Sequence, residues 1–377
     1  MTTPAAFRSQ FPALAESVHL ASCSQGALST DLVAQTGELL WSMRTHGAPW
    51  DRWVGKVEEA RAAFARTIGA RPDEIAVLSN ASECAYQVAS TRDWSRRPRI
   101  VCTDMEFPSV AHVWLGQRPR GAEVHHVAER DGRVPPEDLL AAVDERTALV
   151  SCPLVSYRNG ARLPVEEVAA RARAVGATVF VDAYQAAGVL PIDVRELDCD
   201  YLVAGALKYL LGLPGIAFLY VREGVRDDVA PQLTGWFGRV DPFSFDPRAL
   251  DHPSDARRFE VGTPSVPSAY GAVAGMRVLA RADPAAVERH VRGLVDETAA
   301  RLADAGERLW LPPEPAARGP MVALVDDAPD RLAGWLAPRG IVTSPRGHVL
   351  RLSFHYYNAE TDVDAFCTAL AEYRRTQ

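Results

Sequence analysis

Residues 179–188 read VFVDAYQAAG, and residues 201–221 read YLVAGALKYLLGLPGIAFLYV. Both open with a short apolar run, which is typical of a strand that is buried on both faces of a parallel sheet. The second stretch is as long and apolar as a membrane span, but the charged Lys208 lies in its middle and a glycine-rich turn follows. We therefore predict two short buried strands around a loop, and no membrane span.

The same alternation of strands and helices extends upstream of these two stretches. Apolar runs predict strands over 75–78, 99–104 and 147–156, and helical periodicity predicts helices over 57–68, 136–144 and 164–176. Strands separated by helices of this length form βαβ units. The sequence therefore predicts an α/β fold whose mostly parallel sheet is covered on both faces.

The last third of the chain has a different pattern. Residues 269–305 are mainly helical, and short strand-like runs then alternate with helices up to a final helix from Glu360. This pattern is typical of an α+β domain. Because a Pro-rich stretch precedes it, we predict a large domain over 15–255 and a small α+β domain made of 1–14 and 256–377.

The composition excludes several classes of protein. The 377 residues carry 41 basic and 48 acidic side chains, and the net charge of −7 argues against nucleic acid as the main partner. The six cysteines are scattered, without a CxxC pair or a Cys/His cluster, so we predict no metal site. The N-terminal residues lack the apolar core of a signal peptide, and we expect a cytoplasmic protein with reduced thiols.

Lysine is rare in this sequence. Only Lys56 and Lys208 are present, and every other basic residue in the count of 41 is an arginine. Codon bias in a GC-rich genome explains such a composition. It also makes a retained lysine informative, because arginine cannot be deprotonated and so cannot act as a nucleophilic amine.

Three segments place polar residues at the carboxyl ends of predicted strands, where ligands of a large α/β sheet bind. Asp182 and Gln185 follow one strand, Lys208 follows another, and LSNASECA (78–85) begins a helix with a cluster that suits phosphate. Singly, each has an ordinary explanation as a turn former, a solvated lysine or a helix cap. Together they favour a site, because a lysine in apolar surroundings is costly unless its amine has a function, such as a Schiff base.

The combination of VDAYQAAG (181–188) with this lysine loop resembles the class V family of pyridoxal phosphate (PLP) enzymes of fold-type I. That family includes cysteine desulfurases, selenocysteine lyase, isopenicillin N epimerase and kynureninase. HLASCSQGALS (19–29) is similar to its opening strand and loop, RRFEVGTPSVPS (257–268) to its Gly-Thr-Pro segment, and RLSFHYYNAETDVD (351–364) to its carboxylate-binding strand. The resemblance implies the fold-type I transferase fold, with a seven-stranded, mostly parallel sheet, and PLP as the cofactor.

The resemblance also implies roles for individual residues. Lys208 would be the catalytic residue, which forms the Schiff base and then moves protons. Asp182 would pair with the pyridine nitrogen of PLP and Gln185 with its phenolic oxygen. The other implied cofactor contacts are Ala81 (through its N–H) and Ser82 at the phosphate, Phe107 stacked on the ring, Trp236, and Thr263 from the second subunit of a homodimer.

The implied substrate is a small molecule, an L-amino acid. Arg351 would grip its α-carboxylate by a bidentate pair, and Ser24, Arg158 and Arg239 would complete the substrate-binding residues. Two cations beyond Arg351 suit a polar or anionic substrate. Trp236 and the arginines also have ordinary explanations, as core and surface residues.

Departures from the family pattern reduce the number of reactions that the resemblance allows. Cysteine desulfurases carry a loop cysteine before the carboxylate-binding arginine, whereas GIVTSPRGHVLRLSF (340–354) has none, and Phe107 stands where they have histidine. YRNG (157–160) and GWFGRVDPFSFDP (235–247) are closer to kynureninase. Leu207, however, stands where kynureninases have tyrosine, and both Gln185 and Arg239 where they have histidine.

We therefore predict a homodimeric PLP-dependent lyase that cleaves the Cβ–S bond of a cysteine S-conjugate. Its size and Arg-rich composition resemble lyases of lincosamide-antibiotic pathways. The alternatives are a decarboxylating oxidative deaminase of the same substrate type, a kynureninase-like hydrolase, an epimerase and an aminotransferase. The alternative outside catalysis is a regulatory homologue, which would have no reason to keep Lys208 and Asp182.

Overall fold

The structure is a computed structural model, and it describes residues 2–225 and 230–376. The strands of this part of the chain are β1 (Val18–His19), β2 (Ile75–Leu78), β3 (Arg99–Thr103), β4 (Glu123–Val127), β5 (Thr147–Pro153), β6 (Thr178–Asp182), β7 (Tyr201–Gly205), β8 (Ala217–Val221), β9 (Met321–Val325), β10 (Ile341–Val342), β11 (Ser344–Arg346) and β12 (Val349–Ser353).

The helices of the described residues alternate with these strands. They are α1 (Pro4–Arg8), α2 (Thr30–His46), α3 (Trp50–Thr67), α4 (Ala81–Ser90), α5 (Pro108–Leu115), α6 (Pro136–Ala142), α7 (Val165–Val175), α8 (Val194–Leu197), α9 (Val266–Leu279), α10 (Pro284–Asp304), α11 (Pro329–Leu336) and α12 (Glu360–Arg375).

A seven-stranded sheet forms the centre of the molecule, with the strand order β2-β8-β7-β6-β5-β3-β4. The strands β4, β3, β5, β6 and β7 run parallel, and β8 lies antiparallel to both of its neighbours. Hydrophobic clusters cover both faces, and α3 and α7 pack on one of them while α4 packs against β7 and β8. This arrangement confirms the predicted α/β fold with a mostly parallel, seven-stranded sheet.

The stretch 201–221 forms two strands, as its sequence predicts. Every residue of β7 and β8 is buried, and Lys208 lies in the loop between them. No helix in the described residues has both the length and the apolarity needed to cross a membrane. The loop side of β7 is also the end at which its parallel neighbour β6 finishes with Asp182.

The C-terminal part contains a second sheet, with the antiparallel order β11-β12-β9, and the helices α10, α11 and α12 pack around it. The helical stretch 269–305 is divided before Pro284, where Asp283 caps α10 by accepting a hydrogen bond from the Ala286 N–H. The strand β1 pairs with β10, so the N-terminal segment is joined to this part of the chain. The division into domains at residues 14/15 and 255/256 stays a prediction.

Candidate functional site

The loop that carries Lys208 is held by close backbone contacts. A Cβ atom at Gly26 would lie 2.5 Å from the Lys208 carbonyl oxygen, and one at Gly275 would overlap the backbone of the same loop. Within the loop, Leu211 adopts the left-handed conformation (φ +60°) and donates its N–H to the Lys208 carbonyl at 3.1 Å. These contacts require glycine at both neighbouring positions, and they fix the direction in which the lysine side chain leaves the backbone.

A cavity of about 360 Å³ opens at the carboxyl ends of the parallel strands, in the size range of small-molecule sites. It brings together six of the residues predicted for the site. The lining residues are Asn80, Ala81, Ser82, Phe107, Ser109, Pro153, Val155, Tyr157, Asp182, Tyr184, Gln185, Leu207 and Lys208.

The amine of Lys208 lies between two aromatic rings of the cavity wall. Its Nζ is 4.6 Å from the ring centroid of Tyr184 and 5.3 Å from that of Phe107. Burial lowers the pKa of Lys208 to about 8, although the charge of Asp182 acts in the opposite direction. A large fraction of the amine is therefore neutral near pH 8, which is the form that attacks an aldehyde or accepts a proton.

The carboxylate of Asp182 is buried at the end of β6. One of its oxygens accepts the Tyr184 N–H at 2.9 Å, and no ion pair to it is present among the described residues. Burial raises the pKa of the carboxyl group, while the charge of Lys208 lowers it. A cationic N–H donor in the cavity would stabilise the ionised form of this carboxyl group, and the N–H of a protonated pyridine ring is such a donor.

Gln185 lines the cavity and has a side-chain oxygen without a hydrogen-bond partner in the described residues. Its Nε2 donates to the Cys23 carbonyl at 3.1 Å, and its buried Oε1 has no hydrogen-bond partner in the described residues. An orphaned buried acceptor costs about 1–3 kcal/mol, so a ligand hydroxyl at this position would be stabilising. A ring that carries a hydroxyl group beside its aldehyde fits this requirement.

The N-terminus of α4 lines the cavity with groups that can donate hydrogen bonds to an anion. Asn80 caps the helix by accepting the Glu83 N–H at 2.9 Å, and the N–H groups of Ala81 and Ser82 have no acceptor within the helix. The helix dipole also favours negative charge here. With the amine, the carboxylate and the orphaned acceptor, this end makes the cavity fit PLP and its phosphate.

Arg351 does not line the cavity, but its side chain is hydrogen-bonded to a residue that does. Its Nη1 donates to the carbonyl of Tyr157, a lining residue, at 2.7 Å, and its Nη2 donates to Ser344 Oγ at 2.6 Å. The side chain is buried and has no carboxylate partner among the described residues. A buried guanidinium without an anion supports its predicted role, and the bidentate contact to a substrate stays a prediction.

The other predicted residues also lie outside the cavity lining. Arg158 neighbours Tyr157 and stacks on Trp310, with its guanidinium 4.7 Å from the ring centroid. Arg239 forms an ion pair with Asp251 at 3.1 Å, so its charge already has a partner. The remaining three are Ser24 and Thr263, which are exposed, and Trp236, which packs in an aromatic cluster with Trp50, Phe237, Phe243 and Phe245.

Two lining tyrosines were not predicted from the sequence. Tyr157 packs edge-on against Phe107, with 4.9 Å between the ring centroids. Tyr184 fits against the end of β7, where a Cβ at Gly205 would overlap its hydroxyl. Tyr184 could have been found from its position between Asp182 and Gln185 in the motif. That Gly205 leaves space for its ring follows only from the pairing of β6 with β7.

Glu106 is a buried carboxyl group behind the cavity that was also missed. Its Oε1 accepts Ser151 Oγ at 3.0 Å, and its Oε2 has no partner among the described residues. Burial, and then the charge of Asp182, raise the pKa of Glu106 to about 8. The group is therefore mostly protonated at neutral pH in the folded protein.

This raised pKa predicts a pH-dependent effect of Glu106→Gln. From pH 4.5 to 8 the unfolded chain loses the Glu106 proton while the folded chain retains it, so the wild type loses stability as pH rises. Glutamine does not titrate, and its stability advantage over wild type should grow by up to about 4 kcal/mol across this window. Urea unfolding of the cofactor-free proteins at pH 5 and pH 8 measures it. A constant difference would show that Glu106 ionises normally, and Glu372→Gln, at an exposed position of α12, is the matched control.

Comparison with known proteins assigns the family. The model described as aminotransferase class-V matches residues 44–366. The uncharacterized aminotransferase YcbU of Bacillus subtilis is 36% identical over 364 residues, which cover 96% of this chain and 95% of that protein. Isopenicillin N epimerase of Streptomyces clavuligerus is 29% identical over 334 residues, with 83% of each chain covered.

A solved structure agrees with this assignment. The apo cysteine desulfurase of Thermococcus onnurineus NA1 superposes with a TM-score of 0.90 at 26% identity, covering 100% of this chain and 99% of that one. In this fold, the cavity contains the lysine, the carboxylate and the helix N-terminus that fit PLP. The chain thus belongs to the class V aminotransferase family and is a PLP-dependent enzyme of fold-type I.

Proposed function

We propose that this enzyme is a β-lyase that cleaves the Cβ–S bond of an L-cysteine S-conjugate. The observation that carries the proposal is the absence of a cysteine from the described residues that line the cavity, next to a lysine whose amine is free to act. Sulfur transfer to the enzyme needs an accessible thiolate, whereas elimination needs only a base and an anchored substrate. The enzyme's place in secondary, antibiotic metabolism is proposed from the resemblance to lyases of lincosamide-antibiotic pathways alone.

The reaction balances without an oxidant or reductant. A conjugate R–S–CH₂–CH(NH₃⁺)–COO⁻ and one water give R–SH, pyruvate and ammonium. PLP supplies the electron sink that makes the Cα proton acidic. Lys208 would accept that proton at Nζ, the Asp182 carboxylate would hold the ring nitrogen of the cofactor, and Arg351 would bind and orient the α-carboxylate of the substrate.

Cys23 is tested separately because it lies beside the cavity. Its carbonyl accepts a hydrogen bond from Nε2 of the lining residue Gln185, but its side chain is buried and does not line the cavity. Four other cysteines are buried as well, and Cys367 lies on α12.

The proposal predicts products and their ratio. Turnover of a cysteine S-conjugate should release thiol, pyruvate and ammonia in equal amounts, as measured by a thiol reagent and coupled dehydrogenase assays. Cys23→Ala should retain activity within about threefold, since it removes no group that contacts substrate. Cys102→Ala, also buried, is the matched control.

Other outcomes would assign other reactions. Loss of turnover in Cys23→Ala, with folding intact, would indicate a persulfide mechanism. Carbon dioxide and an aldehyde would indicate the decarboxylating reaction, a 2-oxo acid that retains the sulfur would indicate transamination, and the D-enantiomer would indicate epimerisation. Alanine released from kynurenine would indicate kynureninase-type hydrolysis. Each of these results contradicts β-elimination and leaves the cofactor assignment unchanged.

A homodimer with shared sites is part of the proposal. The helix α2 exposes Val33 and Leu40, which lie on one face two turns apart, as well as Trp41, and an exposed apolar face suits a second copy of the chain. Thr263 is exposed and lies outside the cavity of its own subunit. This placement leaves it available to a neighbouring subunit's phosphate.

Complementation tests the shared site. Lys208→Ala and Thr263→Ala chains, each impaired alone, should regain activity when they are mixed, because a heterodimer holds one site with both native residues. Random pairing of equal amounts makes about half of the dimers mixed, so about a quarter of the native sites should return. A mixture that recovers nothing, or an active monomer in sedimentation, would contradict the shared site. Thr376→Ala, near the C-terminus, is the control substitution.

A further inference from the structure

The hairpin of β11 and β12 carries a second arginine on the face that bears Arg351. Ser344 lies directly opposite Arg351, and Arg346 lies opposite Val349. Residues two apart on a strand share a face, so Ser344 and Arg346 project to the same side as Arg351. Arg346 is exposed, and it occupies the end of β11 next to the turn.

Trp310 connects this hairpin with Arg158. The guanidinium of Arg158 lies 4.7 Å from the Trp310 ring centroid, and the ring of His348, in the hairpin turn, lies 4.9 Å from the Trp310 ring. Arg158 follows Tyr157, whose ring lines the cavity and whose carbonyl binds Arg351. Arg158 and the hairpin turn therefore contact the same indole ring, and Arg158 directly follows a residue that lines the cavity.

Both arginines carry charge that has no anionic partner in the described part of the chain. Arg158 donates to the backbone carbonyl of Asp104 at 3.4 Å, and neither it nor Arg346 forms an ion pair there. The carboxylate of Asp104 faces His126 instead. Burial is the main cause of the lowered pKa of Lys208, and the charges of Arg351 and Arg346 lower it further, so both cations lie within electrostatic reach of the amine.

We propose that Arg346 and Arg158 form a second anion-binding subsite, which takes a carboxylate at the far end of the substrate's side chain. Arg351 holds the α-carboxylate, and the exposed Arg346 and the half-buried Arg158 hold the distal one. The preferred substrates are therefore amino acids with a second carboxylate. The inference deepens the proposed function, since on that function the substrate is a cysteine conjugate whose thiol bears an acidic group.

Two nearly isosteric probes test the subsite, S-carboxymethyl-L-cysteine and S-carbamoylmethyl-L-cysteine. They differ only in a carboxylate against a neutral amide. Binding to the holoenzyme is titrated through the change in cofactor absorbance, which does not depend on turnover. The wild type should bind the carboxymethyl probe about 10- to 100-fold more tightly.

The variants assign that preference to named residues. Arg346→Gln and Arg158→Gln should each reduce the preference about tenfold and leave the affinity for the carbamoylmethyl probe within about threefold. Arg375→Gln, which removes the same charge from an exposed position of α12, should keep the full preference.

Equal wild-type affinity for the two probes would overturn the inference. Variants that lose affinity equally for both probes would overturn it as well. The readout separates it from the proposed function. A charge preference in binding without release of thiol would contradict β-elimination alone, whereas thiol release from both probes at equal affinity would contradict the subsite alone.

Discussion

Lys208→Ala should lose at least about 10⁴-fold in kcat, because on the proposed mechanism the substitution removes both the amine that binds the cofactor and the base that accepts the Cα proton. The purified variant should also lack the Schiff-base absorbance of the wild type. Lys208→Arg should fail to a similar extent, since arginine keeps the charge but cannot be deprotonated. Steady-state kinetics and absorbance spectra of the two variants measure the effect.

The second lysine of the chain provides the control. Lys56 pairs with Glu59 at 2.9 Å and lies over the Tyr270 ring, in contacts that do not involve the cavity. Lys56→Arg preserves the charge, and it should retain the cofactor spectrum and most of the activity. A Lys208→Ala enzyme with wild-type turnover would contradict the assignment of the site.

Arg351→Gln should reduce kcat/KM by about 30- to 1,000-fold, which corresponds to the loss of about 2–4 kcal/mol from a bidentate charged pair. Arg351→Lys should recover little, because an ammonium group cannot form the fork that donates to Tyr157, to Ser344 and to a carboxylate at once. Kinetics with one cysteine conjugate measure both variants.

Folding must be separated from binding for Arg351, because its side chain is buried and joins the Tyr157 loop to strand β11. The thermal midpoint and the cofactor spectrum of each variant serve this purpose. A variant that folds, keeps the cofactor and retains wild-type kcat/KM would show that another group binds the α-carboxylate. Arg375→Gln is again the matched change of charge.

Local sequence patterns were enough to predict the parts of the fold that surround the lysine. The runs at 75–78 and 201–221 became β2, β7 and β8, because strands buried on both faces consist of continuous apolar residues that are easy to read. The helix α2 was not predicted. It exposes Leu40 and Trp41, so its apolar residues do not form the single buried stripe on which helical periodicity depends.

The cavity could be predicted as far as its residues lie in short motifs. Asp182, Gln185 and Lys208 follow strands that end side by side, so their convergence follows from the parallel sheet. Contacts between distant segments could not be read in this way. The pairing of Arg239 with Asp251 depends on the path of an irregular loop, and the stacking of Arg158 on Trp310 joins two parts of the chain far apart in sequence.

Borohydride reduction of the holoenzyme, followed by mass spectrometry of its peptides, tests the central claim that Lys208 binds PLP in this cavity. The reaction should abolish the visible absorbance and add one pyridoxyl phosphate group to the peptide that contains Lys208. The chain has only one other lysine, Lys56, so the result is unambiguous. A label on Lys56, or a protein that remains colourless and unlabelled after incubation with PLP, would contradict the account.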